Sequence, residues 1–340
     1  MHLEMVETKR LIWLDALKGV GILSIMRIHM LDPMELLQSI IYVGAVSMFF
    51  VAAGFNFKYP ENTKEAIKNK FKRLLIPYFF YSFLLLLIEH HFNKDTLIQF
   101  IGIFYGRMAL YQGNVDNNIS FLVIGNGPMW FLPCMFLSYV WVYMIYCRFK
   151  TVKTKSFVCL VFICLSALLY YSPLMLPWSI DTSFLFAALI VAGYELRKYF
   201  LHCKWSVVIF ALISWLVLYW SFAGSNISVG IYGGYEALSI IPFALIALLE
   251  TYSFCGILQK IEKTLVTKAL AYIGRHSLRL MCIHLVIYYR TLGSLTAIGV
   301  SSDNKYTMLT CVFVVILLVD AFIEFAITKA MDKMPLARYI

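Results

Sequence analysis

The sequence predicts an all-α, polytopic integral membrane protein with about ten transmembrane helices and both termini in the cytoplasm. Composition is the first reason. Of the 340 residues, 61% are hydrophobic and 14% charged, with a mean hydropathy of +0.78, whereas an ordinary soluble domain is roughly 45–50% apolar and about 25% charged. The second is that apolar runs of about 20 residues, the length that crosses a bilayer, recur along the whole chain. The third is that the polar segments between those runs alternate between basic and weakly charged. Soluble globular, disordered and collagen-like classes are excluded together. The net charge of +10 is the loop charge of a multispanning protein rather than a nucleic-acid surface, so a lipid bilayer and no nucleic acid are the expected surroundings.

In order, the apolar runs fall at about 12–31, 39–57, 74–92, 129–147, 157–175, 181–199, 205–223, 235–255, 270–290 and 307–328. Lys9/Arg10, Lys58 to Arg73, Arg148 to Lys155, Arg197 to Lys204, Lys260 to Lys268 and Lys329 to Arg338 are the basic connections. The segments around Asp32-Pro33, 93–128, 172–180, 224–234 and 291–306 alternate with them and carry little positive charge. The positive-inside rule puts the basic set in the cytoplasm. Within 93–128, the stretch 97–110 is too short to cross and is expected to lie at the interface or re-enter. No internal repeat is visible, which argues against a transporter built from duplicated halves, and residues 1–340 read as one membrane domain. Glu4 and Glu7 precede the first apolar run and no small-residue cleavage site follows it, so that span is expected to be retained. The eight cysteines, Cys134, Cys147, Cys159, Cys164, Cys203, Cys255, Cys282 and Cys311, show no metal-like spacing and read as small buried hydrophobes, with no metal expected.

Ionisable side chains inside spans are costly and therefore mark candidate sites. In the first span, Lys18 and His29 are eleven residues apart, about three helical turns, which sets both on one face about 16 Å apart along the axis. Asp15 stands three residues before Lys18, where the two can pair. Histidine is the side chain best suited to take a proton near neutral pH; the plainer alternative for His29 is a helix-end histidine bonded to a loop carbonyl. Arg27 falls on another face and reads as a headgroup anchor. Lys70, Lys72 and Arg73 precede the run that begins LLIPY and ends at Glu89-His90-His91, where simple topogenic charge is the alternative reading. Asp181, Glu195 and Glu236 lie at span ends, and Arg275, His276, Arg279 and His284 mark the ninth span. Asp320 and Glu324 share a face at i, i+4 and should require a cation from a neighbouring helix.

Several segments, read in order, resemble the membrane acyltransferase family 3, the integral-membrane O-acyltransferases that include fucose 4-O-acetylase-like proteins. LDALKGVGILSIMRIH (14–29) resembles the family's opening helix, its basic-x10-His pattern falling on Lys18 and His29. GAVSMFFVAAGF (44–55) and KFKRLLIPY (70–78) resemble the next two motifs, with Lys70 where an arginine is usual and Arg73 as the second basic residue. PMWFL (128–132), LPWSIDTSFLFAALIVAGYELRK (176–198) and IGRHSLRLMCIHLVI (273–287) resemble the later ones. No F-H-M-P precedes the aromatic pair of the second span, a departure from the fucose-type branch.

The resemblance implies a multi-pass protein of the bacterial inner membrane that moves an acetyl group from cytoplasmic acetyl-CoA to a hydroxyl of a surface or exported carbohydrate. It further implies His29 with Lys18 and Asp15 as catalytic residues. Lys70, Lys72 and Arg73 are implied to hold the donor phosphates, and Glu89, Trp130, Asp181, Glu236 and His284 to contact the acceptor. Arg73 would grip phosphate as a fork and Lys70 as a point charge. His29 would act as general base or as acyl carrier. From a different class, a carbohydrate flippase or exporter would use the same polar residues as a translocation path.

Overall fold

A computed structural model describes residues 10–30, 36–89, 94–107, 109–111, 119, 121, 124–222, 240–297 and 305–330. Their architecture is helical, and the one β-bridge among them joins Tyr111 to Leu174. The helices are α1 (Ile12–Met30), α2 (Leu36–Phe55), α3 (Thr63–Glu89), α4 (Lys94–Tyr105), α5 (Phe131–Arg148), α6 (Val152–Leu169), α7 (Ile180–Glu195), α8 (Arg197–Leu201), α9 (Trp205–Phe222), α10 (Ile240–Lys260), α11 (Leu265–Arg275), α12 (Ser277–Ala297) and α13 (Lys305–Ala330). Short 3-10 turns, Ile124–Trp130 and Pro177–Ser179, lead into α5 and α7.

Among the described residues, seven helices are long and apolar enough to cross a membrane. Helix α1 is 19 residues long but carries Asp15, Lys18 and Arg27. Helices α2 and α9 are apolar and run for 20 and 18 residues. Helix α4, with 12 residues, is too short to span, in line with the reading of 97–110.

Two boundaries differ from expectation. The apolar run predicts a third span over 74–92, but α3 begins at Thr63, because Asn62 Oδ1 accepts the backbone N–H groups of Lys64 (3.0 Å) and Glu65 (3.2 Å) and starts the helix ahead of the apolar run. Lys70, Lys72 and Arg73 are therefore helical. The ninth span, expected as one helix over 270–290, breaks at His276, whose φ of −95° and ψ of 3° separate α11 from α12.

Packing arranges α1, α2, α7, α5, α3 and α12 as successive neighbours, with α12 returning to α1; the turn Ile124–Trp130 wedges against α12, α3 and α5. Helices α6 and α10 pack outside this ring on α7 and α2, α9 on α10, and α13 on α12. Small residues permit the closest approaches. A Cβ at Gly274 would strike the Asp15 carbonyl, and one at Gly19 the Leu270 carbonyl, so α11 lies backbone to backbone with α1. Gly54 and Gly193 do the same for α2 and α7. The aromatic pair of GAVSMFFVAAGF is core: Phe50 stacks on Phe186 with ring centroids 4.0 Å apart, and Phe49 and Phe50 both meet Phe131 edge-on.

Among the described residues, the basic connections that follow α2, α5 and α7 gather with the start of α1 at one end of the bundle. Trp13 of α1 meets Phe55 of α2, and Phe57 meets Tyr143, Tyr146 and Tyr194. Lys155 at the start of α6 reaches Glu195 at the end of α7 at 2.7 Å. At the opposite end, the Tyr78 hydroxyl donates to the Ile103 carbonyl (2.7 Å), and phenylalanines 79, 83, 100 and 104 join α3 to α4.

Candidate active site

Unbroken helix from Ile12 to Met30 places Lys18 near the basic end and His29 near the opposite end. Asp15 is engaged on both oxygens, with Arg10 Nε 2.5 Å from Oδ2 and Lys18 Nζ 3.2 Å from Oδ1. Its carboxylate is buried while Arg10 remains exposed. Paired in this way, Lys18 is held on a face that α11 approaches through Gly19 and Gly274.

His29 is accessible, and its ring lies 5.6 Å, centroid to centroid, from that of His284 on α12, at an interplanar angle of 39°. His284 is fully buried. Its Nδ1 is 2.9 Å from the Leu280 carbonyl oxygen and 3.1 Å from that of Met281. Both oxygens only accept, so Nδ1 carries the proton and Nε2 presents a lone pair. Nε2 has no hydrogen-bond partner. Two imidazoles are thus brought together from α1 and α12, one accessible and one sealed.

The second constellation is at the basic end. Lys70 and Arg73 share a face of α3, and Lys70 Nζ sits 3.5 Å from the centre of the Tyr139 ring of α5. Arg73 is exposed and Lys72 half-buried. No carboxylate pairs with any of these cations among the described residues. Held over an aromatic face instead of an acid, Lys70 keeps its charge available to an anion. The donor set therefore fits polyphosphate, with a point charge and a planar fork one turn apart on the same helix.

The remaining sequence-derived residues are dispersed. Asp181, at the start of α7, is buried and ion-paired to Arg107, which also donates to the Leu176 carbonyl at 3.3 Å. Trp130 is buried in the 3-10 turn, 6.3 Å from Phe186 between ring centroids, and walls the ring interior. Glu89 ends α3 where Arg290 of α12 donates to the neighbouring Ile88 carbonyl at 3.2 Å; its side chain, and all of Glu236, lie outside the described residues.

Asp320 and Glu324 obtain the cations they required. Arg279 Nε is 3.0 Å from Asp320, Arg279 Nη2 is 3.3 Å from Glu324, and His276 Nδ1 is 2.7 Å from Asp320. His276, Asp320 and Glu324 have the spacing of a metal-ligand set, but the guanidinium of Arg279 stands where a cation would bind. The cluster reads as the bolt between α12 and α13.

Sequence reasoning missed three residues. Arg107 was a lone cation in an apolar segment and was detectable on that ground. Glu250, fully buried on α10 with its carboxylate against the backbone of Gly44 and no hydrogen-bond partner, was a carboxylate in mid-span and carried the same signal. Tyr139 had none.

A family model described as an acyltransferase domain matches residues 11–323, a stretch that contains α1 through most of α13 and both constellations. The chain belongs to membrane acyltransferase family 3. No curated protein and no solved structure matches it. Membership identifies a multi-pass membrane acyltransferase.

Proposed function

We propose that this acyltransferase moves an acetyl group from cytoplasmic acetyl-CoA to a hydroxyl of an exported or surface carbohydrate, across a ten-span bundle with both termini in the cytoplasm. The observation that carries the reading is the separation of the two constellations along the bundle. Unpaired cations lie at the basic end of the bundle, and an accessible histidine backed by a second one lies at the other end of α1. Coenzyme A has the matching shape, a polyanionic head and a long flexible arm ending in the thioester.

In this reading Lys70 and Arg73, with Lys72 beside them, hold the phosphates at the cytoplasmic rim. The arm follows the Lys18 to His29 face of α1, and Asp15 keeps Lys18 oriented along it. His29 then removes the proton of the acceptor hydroxyl as its oxygen bonds to the acyl carbon. The C–S bond breaks, and the proton passes to the thiolate sulfur, so that ester and free thiol leave. Carbohydrate is supported as acceptor by the family resemblance and by the accessibility of His29 on the side facing away from the basic loops.

The test is incorporation of radiolabelled acetyl from acetyl-CoA into envelope carbohydrate. His29→Ala should reduce it by at least about a hundred-fold, within the range general bases contribute, with protein level and membrane insertion unchanged. His29→Gln is the sharper variant, and wild-type incorporation with glutamine would make His29 structural. A reporter fused in the 197–204 loop should read cytoplasmic and one in 114–126 external. An external 197–204 loop would break the ten-span arrangement.

A further inference from the structure

Acyl transfer through His29 requires more than a histidine at the right depth, because an imidazole that accepts a proton must present a bare nitrogen to the hydroxyl and place its N–H elsewhere. His284 can take that N–H. His284 is fully buried in a stretch of α12 whose other members, Met281, Cys282, Ile283 and Leu285, are buried and apolar, a setting in which an apolar side chain of similar volume would suffice for packing. A buried imidazole normally has partners for both nitrogens. Nδ1 of His284 has two, the carbonyls of Leu280 and Met281, whereas Nε2 has none, and the adjacent ring is His29 at 5.6 Å.

Resting on the acyl-transfer reading above, we propose that His284 is the positioning residue of the reaction, its Nε2 accepting the N–H of His29 directly or through one bridging water. Nε2 makes no direct hydrogen bond in this structure, and at a centroid spacing of 5.6 Å the link is completed by a turn of the accessible His29 ring or by one water. The carbonyls fix the tautomer of His284, His284 fixes the tautomer of His29, and His29 is left with its lone pair toward the acceptor hydroxyl. This is the orienting role that a third group plays behind a base and nucleophile, filled here by a neutral acceptor. His284 exchanges no atom in the net reaction. The hydroxyl proton goes to His29 and then to the thiolate, while the Nε2 lone pair shares the charge that His29 carries between the two transfers. A neutral partner adds no counter-charge, so His29 does not retain the proton against the leaving group. Full burial means that His284 acts only through His29 and touches neither donor nor acceptor.

The experiment uses the full chain in membrane vesicles containing endogenous envelope carbohydrate, with initial rates of labelled-acetyl incorporation followed against acetyl-CoA concentration. His284→Leu should lower the apparent kcat by about a hundred-fold, the lower end of what a positioned proton-transfer group contributes, with KM for acetyl-CoA unchanged. His284→Gln retains a neutral acceptor and a donor for the carbonyls, and should recover about ten-fold of that loss. A full rate in the leucine variant, a loss residing in KM, or a glutamine variant no better than leucine would overturn the proposal. Histidine nitrogen NMR on the purified protein supplies a readout that needs no acceptor. The His29 ring signals should change tautomer in His284→Leu and stay near wild type in His284→Gln, while those of the exposed His202 after α8 stay fixed; an unmoved His29 in His284→Leu would also overturn it. His29→Ala in the same vesicles separates the two levels. Wild-type incorporation without His29 removes the underlying reading, whereas a dead His29→Ala beside a fully active His284→Leu removes only the role of His284.

Discussion

The two ends of the bundle treat charge in opposite ways. At the basic end, Asp15 is shared between Arg10, whose side chain is 65% exposed, and Lys18, 25% exposed, and Arg73 stands in the open with no acid beside it among the described residues. At the far end, Arg107 and Asp181 face each other at 4% and 7% side-chain exposure, and His284 is sealed completely. Exposed cations remain available to a soluble anion, whereas sealed groups can act only on the neighbours they were folded against. In the proposed reaction this difference gives recognition of a diffusible charged donor to one end and fixed geometry to the other.

Removing one partner from each end tests this contrast most strongly. Asp181→Asn would leave the Arg107 guanidinium buried without a counter-charge and should destabilise the protein by about 3–5 kcal/mol, as breaking buried pairs does. Asp15→Asn leaves Arg10 and Lys18 with solvent in reach and should lose about 1 kcal/mol or less. Thermal unfolding of both variants in the same detergent measures the gap. Equal losses would mean that the far end is as solvated as the basic end.

A smaller effect is expected where α11 meets α1. Gly274→Ala places a methyl group on the Asp15 carbonyl and the Gly19 amide, backbone atoms that move only if the helices part. Overpacking of this kind costs about 1–3 kcal/mol. Because α1 carries Lys18 and His29 together, acyl transfer should fall with stability. The matched control is Gly293→Ala on α12, where a Cβ meets nothing within 4 Å; it should hold or raise stability by up to about 1 kcal/mol. If the control fell equally, the close approach would not be the cause.

Residues with local causes were legible in the sequence. The apolar runs, the Asp15–Lys18 pair at i, i+3, the common face of Lys18 and His29, and the need of Asp320 and Glu324 for a foreign cation all follow from helical period and the expense of charge in lipid. What the sequence did not disclose depends on pairing across long separations. His29 and His284 meet because α1 and α12 are neighbours in the ring, and Arg107 finds Asp181 because the segment after α4 folds over the start of α7. Helix boundaries were hidden for a different reason. Hydropathy locates the bilayer rather than the helix, so α3 starts at Asn62 and Thr63, outside the apolar run, and the break at His276 leaves hydropathy unchanged.

The last prediction concerns Arg73 and depends on that early start of α3. An extended segment would scatter Lys70 and Arg73, but as helix they occupy one face a turn apart, Lys70 already leaning on Tyr139. Topogenic charge requires only the correct side of the membrane and tolerates any register, whereas a phosphate site requires this one. Charge-assisted hydrogen bonds contribute about 1.5–3 kcal/mol each, so Arg73→Ala should weaken acetyl-CoA binding by about ten-fold or more, at 1.4 kcal/mol per decade. Arg73→Lys should recover only part of this, since an ammonium cannot reproduce the planar fork. Titration calorimetry of the purified protein with acetyl-CoA reads both. Because the contacts lie at the exposed end, the effect should shrink as salt is raised, unlike the loss from Asp181→Asn, which is shielded from ions by burial. Unchanged affinity in the Lys70→Ala/Arg73→Ala double variant would reduce these residues to orienting α3, and the contrast between the two ends would then lose its functional half.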